Sequence, residues 1–482
     1  MTESKPAQPN PPEPASTQSW WDHASTPPDK TPLHLILDGQ LRWDSAVSAE
    51  VARHFQQRPA HPYTRRWSSK QLLLKTKSAL GVTQLQTGAT QYGTYAPVAL
   101  TWDAIQWNED PFSNLNWQWF HHQLMSVHHL LAAAHFETPN ALPAAKQILR
   151  SWAAANYQPT FPSPLAWDDH VTAFRLRTLL CSFEWIRSAE PLDAPFLDHL
   201  LRMIASHCRV LATEEFFNRH TNHGFDQATI LYWAASAFPE LSEAAGWLQL
   251  SQDRLREEID FMFTPEGIHV ENSPGYHVWL LMALEEYLLM TGDQPPPELE
   301  ARINAGWDYA ACLLQPDGRL PIVGDTASRD FATLRSVRPL PGAQNFIYSA
   351  TRGKSGTRPS SPDGIFPQSG YAILRDAWHP TDRFSETLYL FFKCSFFSDY
   401  HRHDDDLHFA LIALGEEWFI DSGLYGYEER HPLRRYMRSN EAHNTVIPEG
   451  SVAIRTIARH PSPGSGIVEH GVQPECQRCL AR

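Results

Sequence analysis

The stretch WQWFHHQLMSVHHLL (residues 117–131) decides the fold class of most of the chain. Large apolar residues recur in it at intervals of three and four residues: Trp117, Phe120, Leu124, Val127 and Leu131. The same period recurs at 171–186 and 279–287, and it is the period of one face of an α-helix. We therefore predict amphipathic helices from about 40 to 345. Proline-bearing breaks such as 160–167 separate them, which favours helical hairpins arranged as an all-α ring or solenoid.

The pattern changes after about residue 355, where runs rich in aromatic and β-branched residues alternate with short turns. These runs are GYAILRDAW (370–378), ETLYLFFKC (386–394), LHFALIALG (407–415) and EWFIDSG (417–423). Such composition is typical of β-strands, and the Gly-Glu step at 415–416 predicts a hairpin between the last two. The fold class is therefore predicted as α + β multidomain, with a helical domain followed by an antiparallel β domain.

The predicted domain limits follow from shifts in composition. Residues 1–30 are polar and proline-rich, so they cannot bury enough apolar surface to offset the entropy of ordering, and we predict a disordered leader. The helical domain is predicted at 31–350 and the β domain at 365–482. The tail from 460 to 482 lacks the pattern of strands, so the β domain is expected to be incomplete, with exposed strand edges.

Charge and composition exclude several classes of protein. The 482 residues carry 54 acidic and 40 basic side chains, a formal net charge of −14, which argues against nonspecific nucleic-acid binding. No apolar run is long enough to span a membrane. The first residues lack the basic start and apolar stretch of a signal peptide, so the sequence as it stands predicts a cytoplasmic protein.

The six cysteines are scattered, which argues against a disulfide framework. Cys476 and Cys479 form a single CxxC at the end of the chain. Since no second pair and no strand–helix context accompany them, we do not expect a zinc or redox role there.

Three polar clusters lie in turn-like contexts, where functional side chains are commonly held: RHTNHG (219–224), ENSPGYH (271–277) and YHRHDDD (400–406). Their mixture of residues suits chemistry on a uronic-acid polymer. Removing the proton at C5 of a uronate requires donors that stabilise charge developing on the adjacent carboxylate. It also requires a base for that proton and an acid for the departing glycosidic oxygen.

Each cluster offers a candidate for one of these tasks. Asn222 and the adjacent His223 could donate to the carboxylate, and Tyr276 could supply a phenolic proton, with its pKa lowered by neighbouring cations. His401 or His403 could act as base or charge neutraliser, and two residues two apart on a strand would face the same side. The structural alternatives are a helix cap at NHG, a packing tyrosine after SPG and a solvated acidic turn at HRHDDD.

A metal site is predicted from His403 together with two residues that follow it. His403 is followed by Asp421 on the next predicted strand and by His443 in EAHNTV. The hairpin at Gly415 would bring His403 close to Asp421, and histidine with carboxylate ligands suits zinc.

Taken in order, the motifs resemble the heparinase II/III-like polysaccharide lyases, a group that includes heparan-sulfate lyases and oligoalginate lyases. The resemblance covers roughly residues 110 to 450. It is carried by WDDHVTAFRLR (167–177), TNHG (221–224), EGIHVENSPGYH (266–277), PDGRLPIVGD (316–325), SGYAILRDAW (369–378), YHRHDDDLHFAL (400–411), FIDSGLYGY (419–427) and YMRSNEAHNTV (436–446).

The resemblance implies an N-terminal (α/α) toroid and a C-terminal antiparallel β-sandwich, here truncated, with substrate bound in the cleft between them. It implies cleavage of an acidic polysaccharide by β-elimination, which leaves an unsaturated uronate, with no organic cofactor. Relatives of this kind act in the periplasm or cell envelope, which is the alternative to a cytoplasmic location.

The resemblance also implies a role for each matched site residue. Asn222 and His223 would neutralise the uronate carboxylate, Tyr276 would be the general acid and possible base, and His401 would take part in proton abstraction. A second tyrosine from the β domain is expected, either Tyr436 or Tyr425.

Further residues are assigned by the same resemblance. His403, Asp421 and His443 would hold a structural zinc that braces the β domain. Candidates for contact with the substrate are Arg175, Glu271 and Arg438.

The chain departs from the family pattern at Asp404, Asp405 and Asp406, where relatives usually have a small residue and one aspartate. Three adjacent acids near a polyanion site would repel the substrate. The residues also leave two alternatives to a lyase. One is a glycoside hydrolase using Glu271 with Asp168, Asp169 or Asp325 as the paired carboxylates. The other is a non-catalytic polysaccharide-binding or capsule-biosynthesis accessory protein.

Overall fold

The computed structural model describes most of the chain, which divides into two compact units with the boundary along the chain between Glu258 and Ile259. The described residues are 19–43, 46–72, 75–292, 296–326, 340–394, 398, 400–449, 467–473 and 476–481. Each unit is presented by itself.

The first unit is mostly helical, as the apolar periodicity predicts. Its helices are α1 (Trp20–Ser25), α2 (Ala49–Gln57), α3 (Pro62–Leu72), α4 (Lys75–Thr87), α5 (Leu115–His122), α6 (Met125–His135), α7 (Ala141–Asn156), α8 (Asp169–Ala189), α9 (Ala194–Ala212), α10 (Asn222–Ala237) and α11 (Ala244–Met262), the last of which crosses into the second unit. Short 3₁₀ turns lie at Pro28–Lys30, Pro164–Trp167 and Glu214–Phe216. Two antiparallel pairs complete the unit: β1 (His34–Leu37) with β2 (Gln40–Trp43), and β3 (Ala89–Thr90) with β4 (Val98–Ala99).

The stretch at 117–131 forms two helices rather than one. Leu124 separates α5 from α6, because its backbone adopts a left-handed conformation with φ of +64°. Trp117 and Val127, one from each helix, are both fully buried. A period of three and four therefore identifies the buried face correctly, although it does not reveal the break.

The prediction of a disordered leader over 1–30 is wrong for its last part. Residues 19–30 contain α1 and a 3₁₀ turn, while residues 1–18 lie outside the described residues. Trp20 packs on Phe216 and Trp21 on Phe161, with ring centroids 5.1 and 5.2 Å apart. These two indole rings supply the apolar surface that the rest of the leader lacks.

The second unit combines helices with an antiparallel sheet. Its helices are α12 (Pro274–Thr291), α13 (Pro297–Leu313), α14 (Pro341–Ala350) and α15 (Pro432–Met437), with 3₁₀ turns at Phe384–Glu386 and Asn440–Ala442. The five strands of the sheet lie in chain order: β5 (Gly364–Phe366), β6 (Tyr371–Arg375), β7 (Tyr389–Lys393), β8 (His408–Ala413) and β9 (Glu416–Phe419). A separate hairpin pairs β10 (Ile467–Gln473) with β11 (Cys476–Ala481), so the expectation that the tail from 460 to 482 lacks strands is wrong for these residues.

The predicted fold class, helices followed by an antiparallel sheet, is confirmed. The predicted hairpin joins β8 to β9, but Ala413 pairs with Glu416, so the turn residues are Leu414 and Gly415. Both have positive φ, 57° and 78°, which is the backbone of a two-residue hairpin turn. The limits 31–350 and 365–482 stay a prediction.

The sheet packs on α13. Tyr371 of β6 lies 5.4 Å from Tyr309 between ring centroids, and the Tyr389 hydroxyl of β7 donates to the Leu313 carbonyl at 2.8 Å. Cys476 and Cys479 lie in β11, but their side chains are outside what the structure describes. Among the described residues, no helix is both long and apolar enough to cross a membrane.

Candidate functional site

Tyr276 and His401 come together in the second unit. Tyr276 is the third residue of α12, which begins at Pro274. Its ring stacks on the His401 imidazole with centroids 3.6 Å apart and planes 18° from parallel. Its hydroxyl forms a 3.0 Å hydrogen bond with the hydroxyl of Tyr427. Two predicted site residues from distant parts of the chain are therefore in contact. A tyrosine that was not predicted, Tyr427, forms a hydrogen bond with one of them.

The environment of Tyr276 raises the pKa of its hydroxyl, whereas the sequence predicted a lowered pKa. Burial is the main cause, followed by the neighbouring Tyr427 and the carboxylates of Glu271 and Asp325. The prediction was wrong because carboxylates, rather than cations alone, surround the ring. Tyr276 consequently keeps its proton at neutral pH, which suits a proton donor.

Asp325 connects the histidines of the 400–406 loop. This buried carboxylate contacts His401 Nδ1 at 3.1 Å and His403 Nε2 at 3.0 Å. Arg434 donates to both of its oxygens. Burial alone would raise the pKa of Asp325, but the hydrogen bonds from Arg434, His401 and His403 lower it well below its ordinary value. The carboxylate therefore stays ionised and orients both imidazoles.

His401 lies between two carboxylates. Its Nε2 is 3.4 Å from Glu271 Oε2, on the opposite side of the ring from Asp325. Glu271 is only 2% exposed, so it faces His401 rather than solvent. The prediction that this segment is a strand is wrong, because His401 has a φ of +54° and 400–406 forms a loop before β8.

Close backbone contacts hold this loop in place. The Asn272 amide nitrogen donates to the carbonyls of Ser398 and Tyr400 at 2.7 and 3.1 Å. Gly324 has a φ of +57°, and a Cβ there would lie 2.7 Å from the Asn272 carbonyl oxygen and 2.9 Å from that of His401. Only glycine fits where three backbone segments meet so closely.

The three predicted metal ligands also converge. His403, Asp421 and His443 are buried, and each offers one ligand atom within 4.8 Å of the others. His403 Nδ1 and His443 Nε2 have no hydrogen-bond partner among the described residues, although both are buried. Two unpartnered imidazole nitrogens beside a carboxylate form a donor set that fits zinc.

Neighbouring groups orient these ligands. Asp325 accepts from His403 Nε2, and Asp421 Oδ2 lies 2.7 Å from His443 Nδ1. His408 Nδ1 accepts from the Asn444 backbone N–H, which leaves its Nε2 to carry the proton, 3.2 Å from Asp421 Oδ2. Carboxylates and histidines in such positions fix the rings of metal ligands.

Two of the three acids after His403 are paired with basic side chains. Asp405 is buried against Lys393 Nζ at 2.7 and 2.8 Å, and Asp406 pairs with Arg402 at 3.0 Å. These partners reduce the negative charge that Asp405 and Asp406 present, and the predicted repulsion of a polyanion stays a prediction.

Asn222 and His223 lie in the first unit, at the start of α10, which Thr221 caps. The His223 side chain is 37% exposed, and its Nδ1 lies 3.2 Å from both oxygens of Asp169. Burial alone would lower the pKa of His223, but the hydrogen bond and charge of Asp169 raise it. His223 is therefore suited to carry positive charge.

The predicted substrate contacts lie in other surroundings. Arg175 is fully buried, with its guanidinium 3.9 Å from the Trp152 ring centroid and its Nε donating to His207 Nε2 at 2.8 Å. Arg438 donates to the Arg402 carbonyl and to Glu429. Arg175 is thus placed in the core of the first unit, where it offers no surface to a polymer.

Sequence reasoning missed Tyr427, Asp325 as a link between histidines, and the pairing of Arg434 with Asp325. Tyr425 and Tyr436 were the predicted second tyrosines, yet the hydroxyl beside Tyr276 is that of Tyr427. Tyr436 is 51% exposed in α15, and the Tyr425 hydroxyl contacts His431 at 3.2 Å. The YGY triplet at 425–427 was a signal for a nearby tyrosine, but it does not say which ring points to α12.

Comparison with known proteins places these residues in a family context. The protein-family model described as Heparinase II/III N-terminus matches residues 45–340. The family model described as Heparinase II/III-like, C-terminal matches residues 358–463. The chain is 23% identical over 329 residues to a heparin-sulfate lyase of Bacteroides thetaiotaomicron, covering 62% of this chain and 47% of that protein. It is 25% identical over 309 residues to a heparin-sulfate lyase of Pedobacter heparinus, covering 61% and 45%. The chain thus spans about half the length of the curated relatives it matches.

Solved structures support the fold. A crystal structure of heparinase III matches with a TM-score of 0.71 and 18% identity, over 88% of this chain and 69% of that one. The heparan sulfate lyase HepC from Pedobacter heparinus matches with a TM-score of 0.54 and 20% identity, over 80% and 59%. At these identities the likeness concerns the fold, a helical region followed by an antiparallel sheet.

Proposed function

Because the chain belongs to the heparinase II/III family, we propose that it is a polysaccharide lyase, a carbon–oxygen lyase that cleaves a uronic-acid-containing polysaccharide by β-elimination. The observation that carries this proposal is the stacking of Tyr276 on His401, with the Tyr276 hydroxyl bonded to Tyr427. That cluster supplies a protonated phenol and an imidazole at one place, which are the groups a β-elimination requires.

In the proposed reaction the C5–H bond and the C4–O bond break, and a double bond forms between C4 and C5. His401 takes part in removing the C5 proton, held in orientation by Asp325 and Glu271. Tyr276 delivers its hydroxyl proton to the departing glycosidic oxygen, and its raised pKa supports this role because the phenol is protonated beforehand. Tyr427 positions that hydroxyl through the hydrogen bond between them.

Asn222 and His223 are proposed to neutralise the uronate carboxylate. A charged imidazole and an amide donor stabilise the negative charge that develops when the C5 proton leaves. The pairing of His223 with Asp169 supports this role, since it favours the charged imidazole. The substrate is proposed to be an acidic polysaccharide, because the matched relatives are named heparin-sulfate lyases.

A glycoside hydrolase is not favoured by the carboxylates of the second unit. A hydrolase requires two carboxyl groups that flank the glycosidic bond. Asp325 is instead occupied by Arg434 and two histidines, and Glu271 is buried against His401. A non-catalytic role is not favoured either, because the relatives matched over most of the chain are lyases.

We also propose that His403, Asp421 and His443 hold a zinc ion. When bound, zinc would stabilise the fold of this region by joining the 400–406 loop to the segments that follow β9. The unpartnered nitrogens of His403 and His443 support the proposal. A further ligand position would be taken by water or another group, since structural zinc is usually four-coordinate.

The function is tested by following the ultraviolet absorbance of an unsaturated uronate while purified protein acts on a panel of uronate polymers. A rise that requires active protein, and that Tyr276→Phe abolishes, is expected for a lyase. New reducing ends without this absorbance would show a hydrolase instead. Binding of a polymer with neither product would support an accessory protein.

The metal proposal is tested by elemental analysis of the purified protein. We expect about one zinc per chain, reduced strongly by His403→Ala, together with a lower melting temperature. His379→Ala is the matched control, because His379 pairs with Asp376 on the surface of the same unit. Equal zinc content in the His403→Ala protein and the wild type would contradict the assignment.

A further inference from the structure

Two histidine–aspartate pairs stack on one another in the first unit. The His223 and His170 rings lie 4.0 Å apart between centroids, with planes 22° from parallel. His223 Nδ1 contacts Asp169, and His170 Nε2 contacts Asp226 Oδ2 at 2.7 Å. The outer pair is partly exposed and the inner pair is buried, since His170 and Asp226 are each 8% exposed.

This arrangement comes from the first turns of two helices. Asp168 caps α8, so Asp169 and His170 follow in its first turn. His223 stands in the first turn of α10, and Asp226 lies three residues later on the same face. The α8 turn therefore supplies one member of each pair, and the α10 turn supplies the other.

The three carboxylates near His223 have different tasks. Asp168 accepts the backbone N–H groups of His170 and Val171 at 3.1 and 3.0 Å, so it serves as the helix cap. Asp226 is taken by His170. Asp169 faces His223 and also accepts from the Asn218 amide at 2.6 Å, which keeps its oxygens pointed at the imidazole.

The carboxylate of Asp169 counters two effects that disfavour a charged His223. The positive end of the α10 dipole disfavours a cationic histidine in its first turn. Burial disfavours it too, yet the charges of Asp169, Asp168 and Asp226 together raise the pKa of His223. The pKa of Asp169 is lowered to about 2, since its hydrogen bonds to His223 and Asn218 outweigh its burial.

Resting on the lyase function proposed above, we propose that Asp169 is a positioning residue that holds the His223 imidazole charged. In this arrangement Nε2 is the ring nitrogen left for the substrate carboxylate. The buried His170–Asp226 pair fixes the plane of the His223 ring by stacking beneath it. His223 then meets the substrate as an oriented cation, and neither Asp169 nor His170 has to touch the polymer.

The proposal is tested first without substrate, by following the NMR titration of the His223 ring proton signals. The His223 signal is identified as the one missing from His223→Gln. We expect a wild-type midpoint above 6.5 and a midpoint at least one pH unit lower in Asp169→Asn. Asp169→Glu should restore most of the difference, because it returns a carboxylate to the site.

Activity supplies a second readout that a merely structural role would not change. The alkaline limb of kcat/KM, which reports ionisations of the free enzyme, should move in Asp169→Asn to lower pH by the same interval as the His223 midpoint. A shift of one unit lowers the charged fraction of His223 by up to tenfold at pH values above both midpoints. Asp376→Asn, which removes the carboxylate from the His379 pair, is the control and should change neither readout.

Two outcomes would overturn the inference. One is a wild-type His223 midpoint below 6.5, which needs no variant to fold. The other is an unchanged midpoint in a folded Asp169→Asn protein. If the titrations behave as expected but no uronate polymer is cleaved, the role of Asp169 stands as charge placement and the lyase function fails by itself.

Discussion

The 219–224 segment of the first unit, which runs into the first turn of α10, and the 400–406 loop of the second unit both contain predicted site histidines, but they hold them differently. Each loop contains a histidine with left-handed backbone, His220 with a φ of +61° and His401 with +54°. In the first loop, His223 has a carboxylate of its own, Asp169, and is partly exposed. In the second loop, His401 and His403 share the buried Asp325.

This difference should determine how substitutions affect activity, metal content and stability. A carboxylate that contacts one histidine side chain, as Asp169 does, can set the charge of that imidazole without affecting the rest of the unit. A shared carboxylate couples the ring that stacks on Tyr276 to a proposed zinc ligand, because moving Asp325 moves both. Substitutions in the second loop should therefore affect activity, metal content and stability together, whereas those in the first should separate these properties.

The largest effect is expected from Tyr276→Phe, which removes the hydroxyl above the 400–406 loop. Without its proton donor the proposed reaction should lose about 10²–10⁴-fold in kcat, the range for general acid catalysis. The ring remains, so stacking on His401 and the melting temperature should be nearly unchanged. Tyr436→Phe is the control and should retain most activity; similar losses in both variants would remove the special role of Tyr276.

Asp325→Asn and Asp169→Asn compare a carboxylate that contacts two histidine side chains with one that contacts a single histidine side chain. Asp325→Asn removes the buried charge partner of Arg434 and leaves it only the partly exposed Glu429, so we expect a loss of about 3–5 kcal/mol in the free energy of unfolding. Its zinc content should also fall. Asp169→Asn breaks a partly exposed pair and should cost about 1 kcal/mol or less, with zinc unchanged. Denaturant unfolding and elemental analysis measure both; equal costs would mean that sharing has no mechanical consequence.

Glycine substitutions compare how tightly the two loops are packed. Gly324→Ala combines a left-handed backbone with contacts below 3.0 Å to two carbonyl oxygens, and should destabilise by about 2–5 kcal/mol. Gly224→Ala has an ordinary helical backbone but would approach the Asn218 oxygen to 2.5 Å, and should cost about 1–3 kcal/mol. Gly246→Ala meets nothing within 4 Å in α11, so it should be neutral or slightly stabilising. A larger cost at Gly224 than at Gly324 would reverse the comparison.

The smallest effect concerns pH and the 219–224 loop. Buried Glu258 accepts the His220 backbone N–H at 2.7 Å, and burial raises its pKa to about 7. Because the folded pKa lies above the unfolded value, its contribution to stability is complete below about pH 4.5 and is lost as the pH rises through 7. Glu258→Gln should therefore reduce the loss of stability between pH 5 and 8 by about 1–3 kcal/mol. An identical pH profile of unfolding in both proteins would show that Glu258 does not titrate in this range.

Several features could be predicted because they depend on local pattern or on ordered motifs. The helical period, the strand-rich C-terminal region and the β8–β9 hairpin follow from spacing and turn residues. The convergence of His403, Asp421 and His443 was predicted from the hairpin and the resemblance, and their ligand atoms do lie within 4.8 Å. The catalytic roles of Asn222, His223 and Tyr276 stay predictions.

Other features could not be predicted, because they depend on contacts between segments far apart in the chain. The conformation of 400–406 was one, since two histidines spaced by two resemble a strand until His401 turns left-handed. The pKa of Tyr276 was another: neighbouring cations were expected to lower it, but folding buries the ring beside Tyr427, Glu271 and Asp325, which raises it.

The order of elements, the family resemblance and the residue types available for chemistry can all be read from the linear chain. These depend on short-range period and on motifs that can be seen along one dimension. Folding in three dimensions is what brings Tyr427 to Tyr276, makes two histidines share Asp325, and buries Arg175 against Trp152. The physical reason is that partner choice and burial depend on which side chains of distant segments meet in space, and those determine the orientation and charge of each group.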